Sequence, residues 1–213
     1  MVERKVKGRY LVAFLLTASI FVLGIFLGMI MSDYKTTKIY NSERDLMSTF
    51  LVHNLQTDLL ITDPCGLSNN SLVSQEIFKV GDRLSALEND LGKKDPQVIS
   101  LKKYYTLLEI KDYLYYKNLN EKCKTNFVLN LFFYSNDPKK CEKCEDQGFV
   151  LSYVRLKNQN IRTYSFDVDL GVSILDYLVK HYNITELPSV VFNEKTHKGF
   201  LDRADVEEML NEH

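Results

Sequence analysis

Two short segments about 45 residues apart constrain this chain more than anything else in it. Cys141-Glu142-Lys143-Cys144 sets two thiols at the entry to a helix, and Thr185-Glu186-Leu187-Pro188-Ser189-Val190-Val191-Phe192 sets a proline at the opening of a β-branched strand. A two-cysteine turn entering a helix points to thiol–disulfide exchange. The surrounding pattern tells what carries it. Phe127 to Tyr134 is a continuous apolar run of strand length, which suits a buried central strand. After the cysteine turn, Glu145 to Lys157 repeats apolar residues at helical spacing, and Ile161 to Val168 alternates as a second strand. Gly171 to Tyr182 reads as a helix, Ser189 to Phe192 as a strand, Gly199 to Leu201 as a short edge strand and Arg203 to Leu210 as a last helix. The order β-α-β-α-β-β-α, with parallel connections first and a hairpin last, predicts an α/β sandwich around a mixed sheet.

In element order, in a CxxC between the first strand and its helix, and in Lys180 to Phe192, the region from about Phe127 to Leu210 resembles the thioredoxin superfamily. The resemblance implies a mixed sheet flanked by helices, with Cys141 as attacking thiol, Cys144 as resolving thiol and Pro188 as a cis-proline beside them. It further implies that Leu187 and Pro188 bind substrate, the Leu187 backbone pairing with an extended chain in β fashion. No cofactor is implied. A helix N-terminus would favour the Cys141 thiolate, with Lys139, Lys140 and Lys143 adding positive charge and Glu142 and Glu145 opposing it. The chain departs from the family pattern in having no tryptophan, in the Glu-Lys dipeptide between the cysteines, and in Asn130 as the nearest polar residue to a buried acid on the first strand.

Upstream, Tyr10 to Met31 contains no charged residue over 22 positions, a length that at ~1.5 Å per residue matches a hydrocarbon core ~30 Å thick. With Arg4, Lys5, Lys7 and Arg9 before it, the run predicts a single-pass anchor in a lipid bilayer, N-terminus cytoplasmic and all four cysteines outside. A cleaved signal peptide is the alternative, but Ile30-Met31-Ser32 offers no small-x-small cleavage site. The expected organisation is a basic tail over 1–9, an anchor over 10–31, a helical juxtamembrane region over 32–125, and a thioredoxin-like domain over 126–213.

Within the juxtamembrane region, Ser42 to Leu60 reads as an amphipathic helix ended by Thr62 to Gly66. Ile77, Val80, Leu84, Leu87 and Leu91 then mark one helix, and Val98, Leu101, Tyr105 and Leu108 a second that continues to Leu119. The turn Gly92 to Pro96 between them predicts a helical hairpin, either a platform for the next domain or a short coiled coil for a partner. Cys65 and Cys123 flank this hairpin, so they can meet in a structural disulfide. Two other uses remain open: a second redox pair serving Cys141 and Cys144, or a zinc site made of all four thiolates.

Positive and negative side chains, 27 against 28, are interspersed, so no basic block points to nucleic acid. His53, His181, His197 and His213 form no HxxH or HExxH, which argues against a metallohydrolase. Two functions stand. One is a membrane-anchored thiol–disulfide oxidoreductase acting on protein thiols or disulfides outside the membrane, with an unidentified redox partner. The other is a non-enzymatic anchored adaptor in which the domain binds partners and its disulfides are structural.

Overall fold

The computed structural model describes residues 14–29, 51, 52, 54, 55, 65 and 72–211. The chain divides into two compact units, Met1–Gln56 and Thr57–His213. In the first, residues 14–29 form a helix (α1) whose apolar side chains, among them Phe14, Phe21 and Phe26, are exposed. The predicted transmembrane helix is corrected here. Among the described residues no helix is long and apolar enough to cross a membrane. The sixteen described residues of α1, at ~1.5 Å each, cover about 24 Å against the ~30 Å of a hydrocarbon core. The predicted single-pass location, with the C-terminal domain outside the cell membrane, falls with it. The expected basic tail over 1–9 and most of the expected helix over Ser42 to Leu60 lie outside the described residues.

The second unit is built on a four-stranded mixed sheet of order β2-β1-β3-β4. Its strands are β1 (Val128–Tyr134), β2 (Ile161–Asp167), β3 (Ser189–Phe192) and β4 (Lys195–Lys198). β1 pairs parallel with β2, Leu131 opposite Tyr164, and antiparallel with β3, Leu131 opposite Val191. A central strand flanked on both sides must bury both faces, which is why its sequence is apolar at nearly every position.

The alternation of the pleat sorts the core into two layers. Leu129, Leu131, Phe133, Tyr164, Phe166 and Val191 point to one side, where α3 (Pro96–Cys123) and α5 (Ser173–His181) cover them with Ile110, Tyr113, Tyr116, Leu119, Leu175 and Leu178. Phe132, Ile161, Val190 and Phe192 point to the other, under α4 (Cys144–Lys157) and α6 (Arg203–Asn211), which supply Leu151, Val154 and Val206.

α2 (Leu72–Leu91) and α3 form an antiparallel hairpin. Gly92 turns the chain at φ +84, and Asp95 caps α3, its Oδ1 accepting the Gln97 amide at 2.8 Å ahead of Pro96 in the first helical turn. Val80 and Leu84 of α2 pack on Val98, Leu101 and Leu108. The ring of Tyr105 lies 3.4 Å from where a Cβ on Gly81 would stand, so the helices approach closely there. Because α3 serves the hairpin with its first half and the sheet with its second, the hairpin shares a core with the sheet.

The return strand corrects the expected edge strand at Gly199 to Leu201. It comes earlier, at Lys195–Lys198, and is polar. Asn193 (φ +43) and Glu194 (φ +71) make a two-residue turn with positive φ at both centres, whose twist matches that of the flanking strands. A glutamate in that conformation costs ~1 kcal/mol or more. Its carboxylate offsets this by accepting hydrogen bonds from Tyr113 Oη at 2.8 Å, Lys117 Nζ at 2.8 Å and Tyr182 Oη at 3.2 Å.

Candidate active site

β1 hands the chain to a loop that is closed by its own short-range bonds. The Asp137 amide donates to Ser135 Oγ at 2.9 Å, the Lys139 amide to Asp137 Oδ1 at 3.0 Å, and the amides of Lys140 and Cys141 both to the Asp137 carbonyl. This wraps one turn immediately before the cysteines. Cys141 and Cys144 are joined in a disulfide with Cα atoms 5.4 Å apart. α4 begins at Cys144, not at Cys141, and its N-cap Lys143 makes no side-chain capping bond. Cys141 therefore lies two residues before the N-cap, outside the helix, and Cys144 holds the first helical position.

Both cysteines are buried, at 7% and 6% exposure, in the layer with Phe132, Leu151, Val190 and Val206. Leu187 packs against the same layer. The Leu187–Pro188 peptide is cis. The Pro188 carbonyl accepts the Gly199 amide at 2.9 Å, whereas among the described residues neither the amide nor the carbonyl of Leu187 makes a backbone hydrogen bond. Gln147, fully buried on α4, fixes the far wall: its Oε1 accepts the Leu201 amide at 2.7 Å and its Nε2 donates to the Leu201 carbonyl at 3.2 Å.

The charges around the cysteines differ from their count in the sequence. Lys140 Nζ is bonded to Asp169 Oδ1, and Lys143 Nζ to Asp146 Oδ2 at 3.0 Å. Two of the three lysines expected to favour a thiolate are thus matched by carboxylates. Asp169 lies on the single 3-10 turn Val168–Leu170 after β2, and also accepts from Ser135 Oγ. The Lys140 ammonium, together with Ser135, holds the Asp169 carboxyl below its usual range.

Beneath the loop lies a buried ion pair invisible in the sequence reading. Lys102 of α3 donates to Asp167 Oδ2 at 3.0 Å, with Glu88 of α2 3.4 Å away. The same Asp167 oxygen accepts Asn136 Nδ2 at 2.6 Å, and its Oδ1 accepts the Asp169 amide at 3.1 Å. Burial disfavours the Lys102 ammonium, but Tyr134 and Asp167 beside it outweigh that and hold its pKa above the ordinary value. Through this chain the hairpin, the end of β2 and the cysteine loop are one hydrogen-bonded network. Further along α3, burial pushes the Glu109 carboxyl up to about 8, against the stabilising Ser165 amide at 3.0 Å.

Cys65 and Cys123 form the second disulfide, Cα atoms 5.6 Å apart. Cys123 ends α3 ahead of β1, and Cys141 follows β1 in the loop that leads to α4. With the cysteines paired two and two, they build no four-thiolate zinc centre among the described residues.

No family model matches the chain, and no curated protein matches it. Among solved structures, one described as the structure of a malarial protein is 17% identical over 41% of this chain and 98% of its own, with a TM-score of 0.35. Chloroplastic thioredoxin z is 19% identical over 46% of this chain and 87% of its own, also with a TM-score of 0.35. The mixed sheet with helices on both faces is consistent with a thioredoxin-like fold.

Proposed function

We propose that this chain is a member of the thioredoxin superfamily that exchanges disulfides with other proteins through Cys141 and Cys144. The observation that carries the reading is the Cys141–Cys144 bridge at the start of α4, packed in one layer with Leu187. In the reducing direction the Cys141 thiolate attacks one sulfur of a partner disulfide, forming a mixed disulfide and releasing the other partner sulfur as thiolate. Cys144, as thiolate, then attacks the Cys141 sulfur. The Cys141–Cys144 bond forms as the bond from Cys141 to the partner breaks, and the partner leaves with both thiols reduced, having taken up the electron pair that the two cysteines give up. The oxidising direction is the reverse, starting from a partner thiolate. A redox partner of the same dithiol or disulfide chemistry resets the pair. The unpaired Leu187 backbone supports an extended substrate segment laid beside the sulfurs.

Removing only the resolving thiol traps the intermediate. Cys144→Ser in the native host is expected to accumulate high-mass adducts that dithiothreitol dissolves, and Cys141→Ser is expected to form none. No adducts from Cys144→Ser, with a wild type that cycles neither insulin nor a glutathione probe, would sink the assignment. The burial of both sulfurs supports a second reading, a binding module whose bridge is structural. That outcome is the one it predicts.

A further inference from the structure

Resting on the exchange reading, we propose that Asp169 tunes the cysteine pair: it holds the ammonium of Lys140, the residue next to Cys141, and so withholds that positive charge from the Cys141 thiolate. The geometry is specific. Lys140 leads directly into Cys141, its backbone amide and that of Cys141 share the Asp137 carbonyl, and its side chain is bonded to Asp169 across the mouth of the loop. Asp169 is itself placed by three independent contacts, the bond from Ser135 Oγ, the bond from its own amide to Asp167, and the Lys140 pair. Asp167 is in turn seated on Lys102. The position of Asp169 is therefore set by the fold, and a thiolate forming at Cys141 meets a neutralised lysine in place of a free one. Asp169 is a positioning residue: it acts through Lys140.

The remaining charges near the pair are either matched or common to all variants compared. Lys143 is bonded to Asp146, and Arg203 of α6 to Glu207 at 2.6 Å. Asp137, Lys139, Glu142 and Glu145 lie on the loop and the start of α4, and Glu186 lies on the segment before Pro188. None of them is altered by changing Lys140 or Asp169.

The test uses the full chain, reduced with dithiothreitol, and follows iodoacetamide modification of the peptide bearing Cys141 as a function of pH. Asp169→Asn keeps an acceptor for Ser135 but removes the carboxylate. It is expected to lower the midpoint of the pH profile and to speed modification at pH 7 by about two- to fivefold, the range of an exposed ion pair. Lys140→Met leaves the Asp169 carboxylate without its cation at the cysteine loop and is expected to slow modification by a similar factor. The double variant is expected to return close to wild type. Both single-variant effects should shrink in 1 M salt, where charges more than ~3 Å apart are screened, while a loosened loop would be insensitive to it. An unchanged or raised midpoint for Asp169→Asn overturns the proposal, as does a salt-independent effect. If Asp169→Asn does not fold, exposed Lys140→Met carries the test, and an unchanged rate there overturns it. Modification of a reduced thiol needs no turnover, so the expected shifts can appear in a protein that forms no mixed disulfides, and failure of the exchange reading is told apart from failure of this one.

Discussion

Lys102→Met is expected to destabilise the second unit by about 3 kcal/mol, read as a lower urea midpoint with an unchanged slope. The methionine fills most of the space but leaves the Asp167 carboxylate buried without its cation, at 5% exposure. Breaking a buried pair from one side costs ~3–5 kcal/mol, and the donors from Asn136 and the Asp169 amide place this case at the lower end. Lys102→Met/Asp167→Asn should recover part of the loss, because the two residues are coupled and the second change removes the orphaned charge. A single variant as stable as wild type would mean that the network does not support the loop.

That pair shows where sequence reading stops. The strand Phe127 to Tyr134 and the helix after the cysteines could be read because their burial is written in local periodicity, and they appear as Val128–Tyr134 and Cys144–Lys157. Lys102 and Asp167 are 65 residues apart and each is an ordinary charged residue in its own segment. Asp169 and Lys140, 29 residues apart, are equally silent until β2 is laid beside β1. Their partnership is a property of the fold. The polar return strand escaped notice for a related reason, since a type I′ turn is signalled by Asn-Gly and here the second position is Glu194, held at positive φ by tyrosines and a lysine from elsewhere. The apolar run from Tyr10 to Met31 is longer than the helix described within it, residues 14–29, and among the described residues no helix is long and apolar enough to cross a membrane.

Glu109→Gln is expected to make the protein more stable than wild type in alkali and to leave it unchanged in acid. The Glu109 carboxyl is almost fully buried, one oxygen accepts the Ser165 amide, and the other has no hydrogen-bond partner among the described residues. Burial first, then the nearby Asp112, raises it from 4.5 to about 8, while the Ser165 amide, Arg155 and Lys102 oppose the rise. For an acid whose folded pKa exceeds its unfolded value, the folded state binds the extra proton between the two. Stability is then fully present below about 4.5 and is lost as pH climbs through about 8. At 1.36 kcal/mol per unit, the loss is on the order of 3–5 kcal/mol by pH 9. Glutamine keeps the carbonyl that Ser165 needs and carries no charge, so the difference between variant and wild type in urea melts should open between pH 5 and 9. Parallel curves over that range would show that Glu109 titrates as an ordinary surface acid.

The central claim is that the Cys141–Cys144 bridge is exchanged. It is tested most directly by equilibrating the whole protein in glutathione buffers of graded potential, alkylating free thiols and weighing the peptides that carry each cysteine. Structural disulfides lie below about −300 mV and exchanging ones above. The account predicts a midpoint above about −300 mV for Cys141–Cys144 while Cys65–Cys123 stays oxidised in the same samples. A Cys141–Cys144 bridge that remains as resistant to glutathione as Cys65–Cys123 would contradict it.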